Sequence, residues 1–199
     1  MRRLLLAAVV AVLAGCSGQQ SGPAAPTSKG DEYAALRAQA KLAPCPTAGR
    51  TATDATAGLP DLTLPCLGGG PDVRLAALAG TPTVVNVWAV WCGPCREELL
   101  SFQRLAERAG TRLRVLGVDS EEGSMRAPLS FVADRGVHFP SLYDQNGALR
   151  RHYATNGLPL TLFVRADGTV VADDIHRGPI GYDDLTAKIH QHLGVVVDG

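Results

Sequence analysis

Val84-Val85-Asn86-Val87-Trp88 runs directly into Ala89-Val90-Trp91-Cys92-Gly93-Pro94-Cys95-Arg96-Glu97-Glu98, and this join constrains the chain more than any other stretch. The β-branched and aromatic run is too short for a helix and reads as a buried strand. Leu99, Phe102, Leu105 and Ala109 then recur at helical spacing until Gly110. The two meet in a β-to-α turn. Pro94 suits the first helical turn, where its missing N–H costs nothing, so Cys92 falls at or beside the N-cap. Unpaired backbone N–H groups and the positive end of the helix dipole stabilise a thiolate there and lower its pKa.

Cys92 is therefore the expected attacking sulfur. Cys95, one turn on, is close enough to resolve a mixed disulfide by forming an intramolecular one. A C-x-x-C pair also occurs in zinc knuckles, but no further ligands stand at matching spacing, and His138, His152, His176, His190 and His192 show none either. Neither metal nor organic cofactor is expected; the redox group is the Cys92–Cys95 pair itself.

Trp91-Cys92-Gly93-Pro94-Cys95 after an apolar strand resembles the thioredoxin superfamily. The longer string from Val85 to Leu99 resembles its membrane-anchored, extracytoplasmic TlpA/ResA-like branch, over roughly Leu59 to Leu193. The resemblance implies an α/β thioredoxin-like fold, with a central mixed β-sheet flanked by helices, an added N-terminal β-hairpin and a central insertion. It also implies that Pro159 is cis and faces the sulfur pair, so that Trp91, Gly93, Pro94, Leu158 and Pro159 form the substrate groove. Leu158 then offers its backbone to an extended client. The branch commonly has Pro-Thr-Thr where this chain has Pro159-Leu160-Thr161, and a proline where Leu100 stands.

Thioredoxin carries a buried aspartate where Asn86 stands, and Asn86 cannot titrate. In the TlpA/ResA-like branch a glutamate follows as C-x-x-C-x-x-Glu, and Glu98 matches it. Two readings remain open: a partly buried carboxylate with a raised pKa that exchanges the proton of Cys95, or a solvated acid that suits a helix N-terminus.

A chain of 199 residues with 46% hydrophobic content supports one ordinary core. Formal net charge is zero and no long run of one sign occurs, so nucleic acid is not an expected partner. Met1-Arg2-Arg3 precedes an apolar stretch, Leu4 to Leu13, of signal-peptide length and too short to span a bilayer. Leu13-Ala14-Gly15-Cys16 resembles a bacterial lipobox, which implies lipidation at Cys16 and a membrane surface as one partner. The expected organisation is a signal peptide over 1–15, a lipidated N-terminus and tether over 16–43, and a redoxin domain over 44–199. Residues 17–30 are too poor in bulky apolar side chains to fold, and a helix through Tyr33, Leu36 and Ala40, capped by Asp31, is a weaker signal.

The cysteines are Cys16, Cys45, Cys66, Cys92 and Cys95. If Cys16 is chemically occupied and Cys92 pairs with Cys95, Cys45 and Cys66 are left for each other. A structural disulfide is the expectation, because neither opens a helix that would activate it; a second exchangeable pair is the rival. Downstream, Leu113 to Val118 reads as a strand parallel to the first, Leu129 to Asp134 as a helix, Phe139 to Tyr143 as a strand, and Leu149 to Tyr153 as a helical turn. Leu160 to Val164 and Thr169 to Ala172 read as a hairpin. A closing helix contains Leu185, Ile189 and Leu193, with Asp183 or Asp184 as its cap.

The expected function is extracytoplasmic thiol–disulfide exchange on protein clients, in the reducing direction, fed by a membrane electron donor of the thiol-disulfide transporter type. Cytochrome c maturation is one setting in which the branch does this. The alternatives are a thiol peroxidase of the redoxin fold, whose Pro-x-x-x-Thr-x-x-Cys motif is missing before Cys92, and a noncatalytic binding lipoprotein.

Overall fold

The computed structural model describes residues 29–47, 49 and 56–197, with side chains from Tyr33 onward. The expected signal peptide, Cys16 and most of the expected tether lie outside them. Around β3 (Thr83–Trp88) the chain builds a five-stranded sheet with β4 (Arg114–Ser120), β5 (Ser141–Asp144), β6 (Leu160–Val164) and β7 (His176–Arg177), in the order β5-β4-β3-β6-β7. β3, β4 and β5 are parallel, while β6 and β7 are antiparallel to their neighbours. All six residues of β3 are buried, since it is central and covered on both faces, and this explains why its sequence is nearly continuously apolar rather than alternating.

Side-chain alternation separates two cores. Val84, Trp88, Val115 and Phe163 face α2 (Gly93–Ala109), α3 (Arg126–Arg135) and α5 (Tyr182–Leu193). Val85, Val87, Leu116, Val118 and Leu162 face α4 (Ala148–His152) and the hairpin of β1 (Thr63–Leu64) and β2 (Val73–Arg74). Asn86 falls on the α2 side, which decides what it can touch. α2 buries Cys95, Glu98, Leu99, Phe102, Leu105 and Ala109, a 3–4 residue stripe, and runs through Leu100 as one helix.

Several expected boundaries differ. α1 (Lys29–Ala40) starts two residues before Asp31 and packs on α3. Ala40 is fully buried, Arg37 Nε donates to Leu67 O at 3.0 Å, and Ala43 N donates to His138 O at 2.7 Å. Ordered packing thus begins inside the expected tether, ahead of position 44. Residues 169–171 turn back antiparallel onto the end of β6, as expected, with Val170 bridging Val164, Arg165 N donating to Thr169 O at 2.8 Å and Val171 N to Phe163 O at 2.9 Å, but the pairing is short, because Thr169 also bridges Gly58 and the chain then bends through a 3-10 turn. β7 pairs with the other end of β6, at Leu160 and Thr161. Gly181 caps α5, with Asp183 and Asp184 in the first turn. Asp144 ends β5 and caps α4, accepting from Ala148 N and Leu149 N at 2.9 Å each.

Gly117 of β4 is required by its surroundings. A Cβ there would lie 2.4 Å from Ser141 Oγ, 3.0 Å from Phe139 and 3.1 Å from Trp88 Nε1. Gly117→Ala is expected to destabilise by about 1–3 kcal/mol, read as a lower urea midpoint; an unchanged midpoint would contradict this packing.

Candidate active site

β3 delivers the chain to the carboxyl edge of the sheet, where Cys92 becomes the N-cap of α2 with φ −85° and ψ 105°. Its Sγ accepts from Cys95 N at 3.2 Å and is bonded to Cys95 Sγ at 2.00 Å. Pro94 stands in the first turn, so the helix starts where the sulfur sits. Cys95 is fully buried and Cys92 is 5% exposed, so the first sulfur is the one nearer to solvent.

Leu160 pairs with Val87 across β3 and β6, which sets Pro159 beside the start of the active-site turn. The Leu158–Pro159 peptide is cis, and Gly178 N donates to Pro159 O at 3.0 Å. Pro159 is buried, Leu158 half-buried, Gly93 half-buried and Pro94 exposed. Trp91 is 55% exposed, an unusual state for so large an apolar ring. Trp88 packs inside against Phe131, ring centroids 5.9 Å apart.

Glu98 is 5% exposed, three residues beyond Cys95 on the buried side of α2. One carboxylate oxygen accepts from Asn86 Nδ2 at 2.7 Å, the other from Ile180 N at 3.0 Å. Burial pushes its pKa up to about 7, although the bonds from Ile180 and Asn86 pull the other way. Glu98 also lines a cleft with Pro94, Ser101 and Pro179 that opens to solvent.

Cys45 and Cys66 are joined, S–S 1.96 Å. Cys66 pairs with Leu142 of β5, two strands from β3, and Cys45 follows α1, so this bond ties the N-terminal arm to the sheet edge. Among the described residues no group of three or more His, Cys, Asp or Glu is arranged to hold a metal ion, and no helix is long and apolar enough to cross a membrane.

The sequence reading passed over the carboxyl end of β4. Asp119 is fully buried, and its oxygens find no hydrogen-bond partner among the described residues. Burial, with Glu122 and Asp144 adding repulsion, raises its pKa to about 9. Glu122 accepts from Val90 N at 2.8 Å, two residues before Cys92. The available signal was position, since acids at the carboxyl end of a strand parallel to β3 lie on the edge that carries the sulfurs.

The central sheet with its sulfur pair at the head of α2 is that of a thioredoxin-like redox protein. Residues 56–173 match the AhpC/TSA family, and the chain belongs to it. It is 30% identical over 119 residues to the thiol-disulfide oxidoreductase ResA of Oceanobacillus iheyensis, covering 59% of this chain and 60% of that one. The thiol:disulfide interchange protein DsbE of Pseudomonas fluorescens biotype C is 30% identical over 138 residues, covering 65% and 72%. A secreted Mycobacterium tuberculosis disulfide oxidoreductase, homologous to E. coli DsbE, superposes with a TM-score of 0.56 at 26% identity, covering 66% of this chain and 96% of that one. These relatives and the fold support thiol-disulfide oxidoreductase activity.

A carboxyl with a raised pKa takes up a proton on folding, so its contribution is most favourable below its ordinary value and is lost as pH rises from about 4.5 to about 7. At about 1.4 kcal/mol per pKa unit this is on the order of 3 kcal/mol. Urea denaturation between pH 4.5 and 7.5 should show a fall in stability that is shallower in Glu98→Gln by that order; equal slopes would mean that Glu98 titrates as a solvated acid. Asp119 adds a fall of the same sign that extends to about pH 9.

Proposed function

We propose that this chain is an extracytoplasmic thiol-disulfide oxidoreductase that reduces disulfides of exported proteins. The observation that carries the reading is the placement of Cys92 Sγ as the N-cap of α2 with a buried Glu98 one turn below Cys95. In the dithiol form the Cys92 thiolate attacks one sulfur of a client disulfide. A Cys92–client bond forms and the other client sulfur leaves as a thiolate. Cys95 then loses its proton to the Glu98 carboxylate and attacks Cys92 Sγ, expelling the second client thiolate. Two electrons pass to the client, and the bond that closes is the Cys92–Cys95 disulfide. The proton on Glu98 leaves through the cleft beside Pro179. Trp91 and the Leu158–Pro159 peptide flank an extended client segment, with the Leu158 backbone pairing to it.

Regeneration needs a dithiol donor, and for a protein outside the cytoplasm that donor is a membrane protein of the thiol-disulfide transporter type. Lipidation at Cys16 holds the domain beside it. Export is supported by the signal-like segment before Cys16 and by the secreted Mycobacterium relative. Apocytochrome c is one client class in keeping with the resemblance to the TlpA/ResA-like branch. Gly93-Pro94 between the sulfurs and a buried acid that opposes thiolate formation both favour the reducing direction.

Cys92→Ser is expected to abolish insulin reduction, and Cys95→Ser to accumulate mixed disulfides with clients, read by mass spectrometry. Undiminished turnover in Cys92→Ser would overturn the mechanism. A Cys92–Cys95 potential near about −270 mV is expected for the reductant, whereas one near about −120 mV would make the protein an oxidant. Cys16→Ala should move the chain from the membrane to the soluble fraction or leave its signal uncleaved; unchanged lipidation would overturn the lipobox reading of Cys16.

A further inference from the structure

Two acids, adjacent in sequence at the end of β4, reach in different directions. Glu122 accepts from Val90 N at 2.8 Å, which fixes the segment leading into Trp91 and Cys92. Glu121 accepts from Arg150 Nη2 at 2.7 Å, and Arg150 Nη1 donates to Thr155 O at 2.9 Å. Thr155 in turn donates from its hydroxyl to Gly157 O at 3.2 Å, immediately before Leu158 and the cis Pro159. One dipeptide thus touches both walls of the groove, one directly and the other through Arg150.

The dipeptide is itself held from beneath. Glu121 N donates to Asp144 O at 3.0 Å, and Tyr143 Oη donates to Glu122 O at 2.7 Å. Glu121 adopts a φ of +61°, the left-handed conformation that turns the chain between the two acids. Its side chain fills the space a Cβ on Gly147 would need, 2.6 Å from Glu121 Cγ, so the Asp144 to Gly147 turn is shaped around it. The Glu121–Arg150 pair is partly buried, with side-chain exposures of 32% and 17%, which screens it less than a surface pair.

We propose that Glu121 and Glu122, with Arg150, form a brace that fixes the separation of the two groove walls and thereby favours polypeptide disulfides over small ones. The inference rests on the oxidoreductase reading above. Arg150 is a positioning residue. A small disulfide needs only the sulfur of Cys92, whereas an extended polypeptide must be held against Trp91 and Leu158 together, and that demands a set distance between them. Each wall alone is a loop, and the brace is the contact that makes them one surface.

The test uses the full-length protein with insulin and with 5,5′-dithiobis(2-nitrobenzoate). In Arg150→Met the KM for insulin should rise about five- to tenfold with kcat within about twofold, and the small disulfide should react within about twofold of wild type. Arg150→Lys, which keeps the charge facing Glu121 but loses the guanidinium fork, should fall between. An unchanged insulin KM, or equal losses with both disulfides, would overturn the brace; if Arg150→Met does not fold, Glu121→Gln carries the same comparison. If wild type reduces neither disulfide, the oxidoreductase reading fails, and the brace is judged by amide hydrogen exchange. Protection at Val90 should drop in Arg150→Met although Arg150 does not touch Val90, and unchanged protection would overturn it.

Discussion

The positive end of α2 meets a sulfur at the carboxyl end of β3, and most of the fold serves that meeting. A helix N-terminus stabilises a thiolate only within about its first turn, so strand and helix must join in four residues with Cys92 at the cap. β3 is held on one side by parallel β4 and on the other by antiparallel β6, and both its faces are buried. The antiparallel partner brings Pro159 to the same edge, because the residue opposite Val87 is Leu160. The positions of Cys92 and Pro159 are therefore set by one register.

Glu98 shows how burial tunes this chemistry. Its carboxylate is flanked by an amide from β3 and a backbone N–H from the loop before α5, both of which favour the ion, yet removal from water outweighs them. The outcome is an acid that is neither fully charged nor fully neutral near pH 7. Such a group accepts a proton from a thiol and releases it at little cost in either direction.

Sequence reading reached the elements whose signal is local. The apolar run into Cys92, the stripe Leu99, Phe102 and Leu105, and the Gly-containing turns each announce themselves within a dozen residues. What it left open or missed depends on residues far apart in the chain. Glu98 reads equally well as a surface acid until Ile180, 82 positions later, supplies an N–H to it. Arg150 looks like one of two adjacent arginines on a short helix until the end of β4 faces it. The expected hairpin forms but stays short for a related reason, since Thr169 also bridges Gly58 and Val170 N donates to Ala57 O, so the segment divides its hydrogen bonds.

The strap from Pro65 to Leu67 lies along β5, where Tyr143 N donates to Pro65 O and Leu67 N to Ser141 O, and the Cys45–Cys66 bond fastens it there. An open sheet edge invites a strand from another molecule, which is a common start of aggregation. This edge is already occupied, and the opposite one, β7, is only two residues long before the chain leaves for α5. With one edge covered and the other this short, the sheet offers copies of the same chain little on which to stack.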